Sequence, residues 1–293
     1  MARIAIIGPG AIGGIMAAWL QRTGANEVTL CARRPLARLT VDTPGAVIDF
    51  VPTVWTDPRQ AQPVDWVLIA TKAYDAEPTG RWLEGLTAKG ASVAVLQNGV
   101  EHRERFAPYI PAGRILPVVV ELPAERLDPT HIRQRGRARL IVADGPLGQA
   151  FASLFAGTEI DIALSPDFTS AAWVKLCFNC AGVVNGIVMQ PAGVMNDEGI
   201  AEASRNLVRE CVAVGRAEGA VLGDDLPDAV ITKYRLQPPD SLNSLHADRL
   251  AGRPTEIDAR NGVIVRLGRK HGIPTPCNQM AIALLQALSE PKV

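Results

Sequence analysis

Two groups of residues in this chain have the types and the spacing for chemistry. Lys175 and Asn179 lie four apart, so on a helix they share a face. Their neighbours Trp173, Val174, Leu176, Cys177 and Phe178 are apolar. A lysine in that setting must reach water along its stem, find a partner, or serve a site. Burial lowers an ammonium's affinity for its proton, which suits a proton donor near neutral pH. A solvated lysine on an amphipathic face is the plainer alternative. The second group is the run Gly8, Pro9, Gly10, Ala11, Ile12, Gly13, which fits G-x-G-x-x-G. Gly8 permits a tight turn, and Gly10 lets the backbone approach a pyrophosphate. Gly13, with Gly14, lets a helix pack closely on a strand. The N-terminus of that helix offers unpaired N–H groups and partial positive charge to phosphates.

The neighbouring elements decide whether the glycines mean this. Ile4 to Ile7 form an apolar run that reads as a strand buried on both faces. Ala11 to about Leu20 suits a helix against a sheet, and Val28 to Cys31 reads as a second strand. Strand, glycine turn, helix and strand in this order distinguish a dinucleotide fingerprint from a glycine-rich turn in an unrelated α/β protein. After the second strand come Ala32, Arg33 and Arg34, with no acid. An NAD site places an acid there for the ribose hydroxyls, and an NADP site an arginine for the 2′-phosphate. NADP is predicted, with Arg33 as first contact and Arg34 as a candidate second; a solvated basic loop is the alternative.

Further strands are expected at 66–72 and 92–99, with a short helix over 79–89 between them, which extends a parallel sheet. Ligands bind such sheets at the carboxyl ends of the strands. Thr71 with Lys72, and Gln97 with Asn98, fall there; loop capping, or a plain Asn98-Gly99 turn, competes with a binding role. Residues 115–122 and 138–144 read as late strands at or near an edge, and 146–155 as a helix with Pro146 in its first turn. From Asp167 the pattern turns helical. A long amphipathic helix is expected near 197–220, with Ile200, Ala203, Leu207, Cys211 and Val214 on one stripe. A later helix closes at Gly272. The expected fold class is α/β: a Rossmann-type parallel sheet over residues 1–166 and an all-helical domain over 167–293.

The chain has 293 residues, 47% of them hydrophobic, with 30 basic and 30 acidic side chains. That is enough for two cores, and it carries no footprint of nucleic-acid or membrane binding. Five scattered cysteines favour reduced thiols and a cytoplasmic protein. The pair Cys177 and Cys180 has C-x-x-C spacing but no second ligand pair nearby, so buried thiols are expected and no metal. Residues 176–196 carry no charge, yet Asn179, Asn185, Gln190 and Pro191 argue for a buried helix and its exit turn rather than a membrane span.

Taken together, the motifs resemble those of the ketopantoate reductase (2-dehydropantoate 2-reductase) family over nearly the whole chain. They are GPGAIGG at the start, AR after the second strand, TKAY at Lys72, QNG at Asn98 and WVKLCFN around Lys175. NSLHADRLAGRPTEID follows from Asn243 to Asp258, then NG at Asn261 and GIPTP at Gly272. The resemblance implies NADPH-dependent reduction of a 2-oxo acid, ketopantoate, to its 2-hydroxy acid, in pantothenate synthesis. It implies that Lys175 donates the proton and that Asn98, Asn179 and Ser244 hold the substrate. It also implies cofactor contacts from the turn of Gly8 to Gly13 and from Arg33, Lys72, Asn98 and Glu256. A homodimer is compatible with it. One position departs: many members carry a second asparagine where this chain has Val183, which predicts a missing polar contact and leaves room for another 2-oxo or 3-oxo acid. A non-catalytic NADP(H) sensor is the rival from a different class, though the catalytic set is complete.

Overall fold

The computed structural model of the chain describes residues 1–289. The chain divides into two compact units, one of residues 1–97 and 101–168, the other of residues 98–100 and everything described from Thr169 onward.

The first unit begins with β1 (Ala2–Ile7), α1 (Ala11–Arg22), β2 (Asn26–Cys31), β3 (Leu39–Asp42), β4 (Val47–Phe50) and β5 (Thr53–Trp55). It continues with β6 (Trp66–Ile69), α2 (Ala76–Leu86), β7 (Ser92–Val95), α3 (His102–Phe106) and β8 (Ile115–Pro117). Then follow β9 (Val119–Glu121), β10 (Ala124–Arg126), β11 (His131–Gln134), β12 (Ala138–Ala143), α4 (Pro146–Leu154) and β13 (Ile160–Ser165). Six strands form a parallel sheet in the order β5-β2-β1-β6-β7-β8. The apolar run of β1 is buried on both faces as expected. Ile4 and Ile6 join a core with Ile15 and Leu20 of α1, while Ala5 and Ile7 join another with Leu83 of α2 and Phe106 of α3. Helix α1 also packs on a second sheet of order β10-β11-β3-β4, where the Trp19 indole donates to the buried Gln134 carboxamide at 3.0 Å.

The sequence predicts one strand over 115–122; the structure has two. β8 closes the parallel sheet, where Pro117, with no N–H to give, sits on an edge. β9 leaves it to pair antiparallel with β12. β12 in turn is not an edge strand but the centre of a separate three-stranded sheet, β13-β12-β9.

The second unit holds α5 (Phe168–Ala181), α6 (Val183–Val188), α7 (Glu198–Ala217), α8 (Leu226–Arg235), α9 (Ser244–Leu250), α10 (Val263–His271) and α11 (Pro276–Ser289). A π-helical turn over 258–262 leads into α10, and α10 ends at Gly272, whose φ of 67° is the left-handed cap expected there. The buried stripe of α7 runs through Ala201, Ser204, Leu207 and Cys211; Ala203, expected on it, is exposed. Among the described residues one stretch, 168–188, is long and apolar enough to cross a membrane. It is 61% buried and is broken at Gly182 between α5 and α6, as suits a core helix.

Candidate active site

In the first unit, the polar groups singled out from the sequence stand at the carboxyl ends of β1, β2, β6 and β7. Gly8 has φ +87°, and a Cβ there would lie 2.8 Å from the Thr71 side chain, so only glycine fits. A Cβ on Gly13 would lie 2.3 Å from the Gly8 carbonyl oxygen, which is the close packing of helix on strand that the fingerprint demands. Gly10 differs. Its φ is −79°, and a Cβ there would meet nothing within 4 Å. The fold itself has no need of glycine at this position, and the missing side chain leaves the turn open to a group approaching from outside. Gly10 also starts α1 without a capping side chain and with no acid in the first turn. By contrast α7 is capped by Asp197 and α9 by Asn243. An uncapped helix N-terminus beside an open glycine fits a pyrophosphate.

Arg33 and Arg34 are exposed just past β2. Lys72 is half-buried at the end of β6. The Gln97 carboxamide is tied down: its Nε2 donates to Thr71 Oγ1 at 2.9 Å and to the Lys72 carbonyl at 3.1 Å, and its Oε1 accepts from Arg105 at 2.9 Å. The buried His102 ring bonds the Gln97 carbonyl at 2.8 Å. Gln97 is therefore a strut that fixes the strand tip, not a ligand group.

In the second unit, three of the predicted residues are hydrogen-bonded in a row. Asn98 Nδ2 donates to Glu256 Oε2 at 3.0 Å, and Asn179 Nδ2 donates to Asn98 Oδ1 at 3.3 Å. Glu256 is 7% exposed. Lys175, half-buried, lies one turn before Asn179 on α5. Four carbonyls at and just past the end of α5 are met by side chains from elsewhere in the unit. Tyr234 donates to Phe178 O at 3.0 Å, Arg260 Nε to Asn179 O at 3.1 Å, Asn261 to Cys180 O at 3.2 Å and Asn243 to Gly182 O at 2.9 Å. This polar cage lets α5 stop inside the protein with no orphaned carbonyl at those positions, and so fixes the residue that carries the Asn179 carboxamide. Arg260 is fully buried, and burial pushes its guanidinium below its usual range, with Tyr234 and Glu256 acting the other way. Ser244 is exposed at the first position of α9 and accepts from Arg260 Nη1 at 3.5 Å.

Val183, where the family pattern has asparagine, is apolar and enclosed. It is 0% exposed in the apolar core with Leu176, Cys180 and Leu245, so this position has no polar end to offer and its apolar character is a packing feature. Asn185 is likewise structural: its Nδ2 donates to the Gln190 and Pro191 carbonyls, both at 3.0 Å. Cys177, Cys180 and Cys211 are buried free thiols, and burial raises the Cys180 and Cys211 pKa values. No group of metal-ligating side chains occurs among the described residues. The sequence reading missed Arg260, Tyr234 and Asn243. Nothing in their spacing marks them as partners of a helix end: Asn243 stands out only as a motif position, and Arg260 reads as a solvated charge.

Comparison with known proteins identifies the family. Family models described as ketopantoate reductase PanE/ApbA and its C-terminal domain match residues 4–146 and 167–289. A 2-dehydropantoate 2-reductase of Caulobacter vibrioides is 54% identical, over 98% of this chain and 99% of its own. The crystal structure of a PanE/ApbA family ketopantoate reductase from Ralstonia eutropha superposes with a TM-score of 0.89 at 32% identity, covering 98% of both chains. A ketopantoate reductase of Staphylococcus aureus, described as dimeric, gives 0.88 at 26% identity over 98% of each. The chain belongs to the ketopantoate reductase family.

Proposed function

We propose that this chain is a 2-dehydropantoate 2-reductase, which reduces ketopantoate to pantoate with NADPH for pantothenate synthesis. The observation that carries this is the row Glu256–Asn98–Asn179 set one helical turn from Lys175. It is a polar constellation gathered against the face of α5 that carries Lys175 and Asn179, in a chain whose first unit presents an open glycine turn. The first unit binds the cofactor through Gly8 to Gly13, Arg33 and Lys72, and NADPH, when bound, supplies the hydride. The Lys175 ammonium donates to the ketone oxygen. As the carbonyl carbon gains the hydride, that oxygen gains charge, and the same ammonium stabilises it and delivers the proton that completes the 2-hydroxy acid. Asn98, Asn179 and Ser244 orient the substrate, and Glu256 holds the Asn98 carboxamide in its aim. Loss of NADPH absorbance with a panel of 2-oxo and 3-oxo acids tests the reading. Ketopantoate is expected to give the highest kcat/KM; preference for another oxo acid would move the substrate, and tight NADPH binding without any turnover would favour a sensor.

Two further readings go with it. Four of the five thiols are buried and none is paired, which supports a cytoplasmic setting. A homodimer is supported by the dimeric relative and by the exposed stripe of Met280, Leu284 and Leu288 along α11. Light scattering is expected to return twice the chain mass.

A further inference from the structure

Three of the four side chains that meet the end of α5 are neutral: Tyr234, Asn261 and Asn243. The fourth, Arg260, is a charge that is 2% exposed. A buried guanidinium is a costly way to satisfy a carbonyl that an amide could reach. Its Nε and Nη2 both bond the Asn179 carbonyl, and its Nη1 extends to Ser244 Oγ. Ser244 is not needed as the cap of α9, because the Asn243 side chain accepts from His246 N at 3.0 Å. A hydroxyl has one hydrogen to give. With a guanidinium N–H directed at its oxygen, the Ser244 hydrogen must turn away from Arg260, and the positive charge behind it strengthens it as a donor. An outward donor backed by a cation suits an anionic acceptor.

We propose that Arg260 is a positioning residue that sets Ser244 as donor to the substrate carboxylate, and so selects 2-oxo acids over uncharged 2-oxo esters and lactones. The proposal rests on the reductase reading above, in which Lys175 engages the ketone and leaves the carboxylate to another group. Glu256 and Asp248 also lie in the field of Arg260; Glu256 accepts from Asn98 and Asp248 from Arg253 at 3.0 Å.

The test measures kcat and KM, at saturating NADPH, on ketopantoate and on its uncharged lactone. Ser244→Ala and Arg260→Met should each raise KM for the acid about 10- to 100-fold while changing the lactone by less than about threefold. The double variant should be no worse than either single one, and Arg260→Lys should recover part of the loss. Equal losses on acid and lactone, or losses that multiply in the double variant, would overturn the proposal. Should Arg260→Met fail to fold by circular dichroism, Ser244→Ala decides: losses equal on both substrates overturn the proposal, and an acid-selective loss partly shared by Arg260→Lys supports it. Absence of turnover by the parent protein on any 2-oxo acid would instead remove the reductase reading itself.

Discussion

At the scale of single residues, the proposed reduction turns on Lys175. Its neighbours Trp173, Leu176 and Cys177 are buried, so α5 can present its ammonium only along the face it shares with Asn179. A positioned general acid contributes about 10²–10⁴-fold. Lys175→Ala should lower kcat by that factor while NADPH affinity, measured by fluorescence titration, stays near that of the parent. Lys175→Arg should restore little, because a guanidinium is larger and does not release its proton. Retention of most of the parent kcat would make Lys175 a surface lysine and shift attention to Lys72. Arg33 can be separated from it by a different readout. It is exposed past β2, where no carboxylate follows the strand. Arg33→Ala should weaken NADPH about 10- to 100-fold, as loss of a charge-assisted hydrogen bond does, and leave NADH nearly unchanged; equal loss for both would remove the 2′-phosphate contact. As candidates, Lys175 and Arg33 were legible because spacing and strand position mark them. Arg260 was not. An arginine in DARNG reads as solvated until the π-helical turn over 258–262 is seen to bring it and Asn261 onto consecutive carbonyls of α5.

At the scale of elements, the glycine turn separates folding from binding within six residues. Gly13→Ala forces a Cβ to 2.3 Å from the Gly8 carbonyl, which is backbone and cannot swing aside. Overpacking of this kind costs about 1–3 kcal/mol, to be read as a lower midpoint in urea. Gly10→Ala meets open space in a backbone conformation that alanine adopts freely. Its midpoint should therefore match the parent's, while its NADPH affinity falls; a Gly10→Ala protein that binds NADPH normally would take the pyrophosphate away from this turn. The strands of the parallel sheet were readable because burial on both faces writes continuous apolar runs, as in WVLI of β6, which is buried throughout. β13 was not readable: only Ile160 of its six residues is buried, so it carries no apolar run. The Ile115–Leu122 run shows the opposite failure. It is apolar without a break, yet it serves two sheets, and the switch at Pro117 depends on partners far away in sequence.

At the scale of the whole molecule, each unit has its own buried core, with β1 and its flanking helices in one and α5, α7 and α10 in the other. The change of pattern near Pro166 was visible because parallel strands and amphipathic helices have different periods. Separate cores allow separate responses to conditions, and the first unit contains a group that makes its stability depend on pH. His102 is wholly buried, and desolvation pushes its imidazole down from 6.5 to about 4, with Arg105 and Arg103 acting the same way and the Gln97 carbonyl opposing. In the unfolded chain the ring takes up a proton near its ordinary pKa; in the folded chain it resists until about pH 4. The unfolded state therefore binds more protons across that interval, and stability falls as pH is lowered from about 6.5 toward 4, by up to about 3 kcal/mol. Carboxylates such as Asp57, held down to about 2 by its bonds from Arg59, lose their pairing below this window. His246 in the second unit is also pushed down by burial, so the measurement is a comparison. Thermal midpoints of the parent and of His102→Gln, taken between pH 7.5 and about 4.5, should converge as the pH falls, because glutamine keeps a donor for the Gln97 carbonyl and has no proton to gain. Midpoints that fall in parallel would mean that the ring takes up its proton as readily in the folded chain as in the unfolded one, and that burial does not hold it neutral.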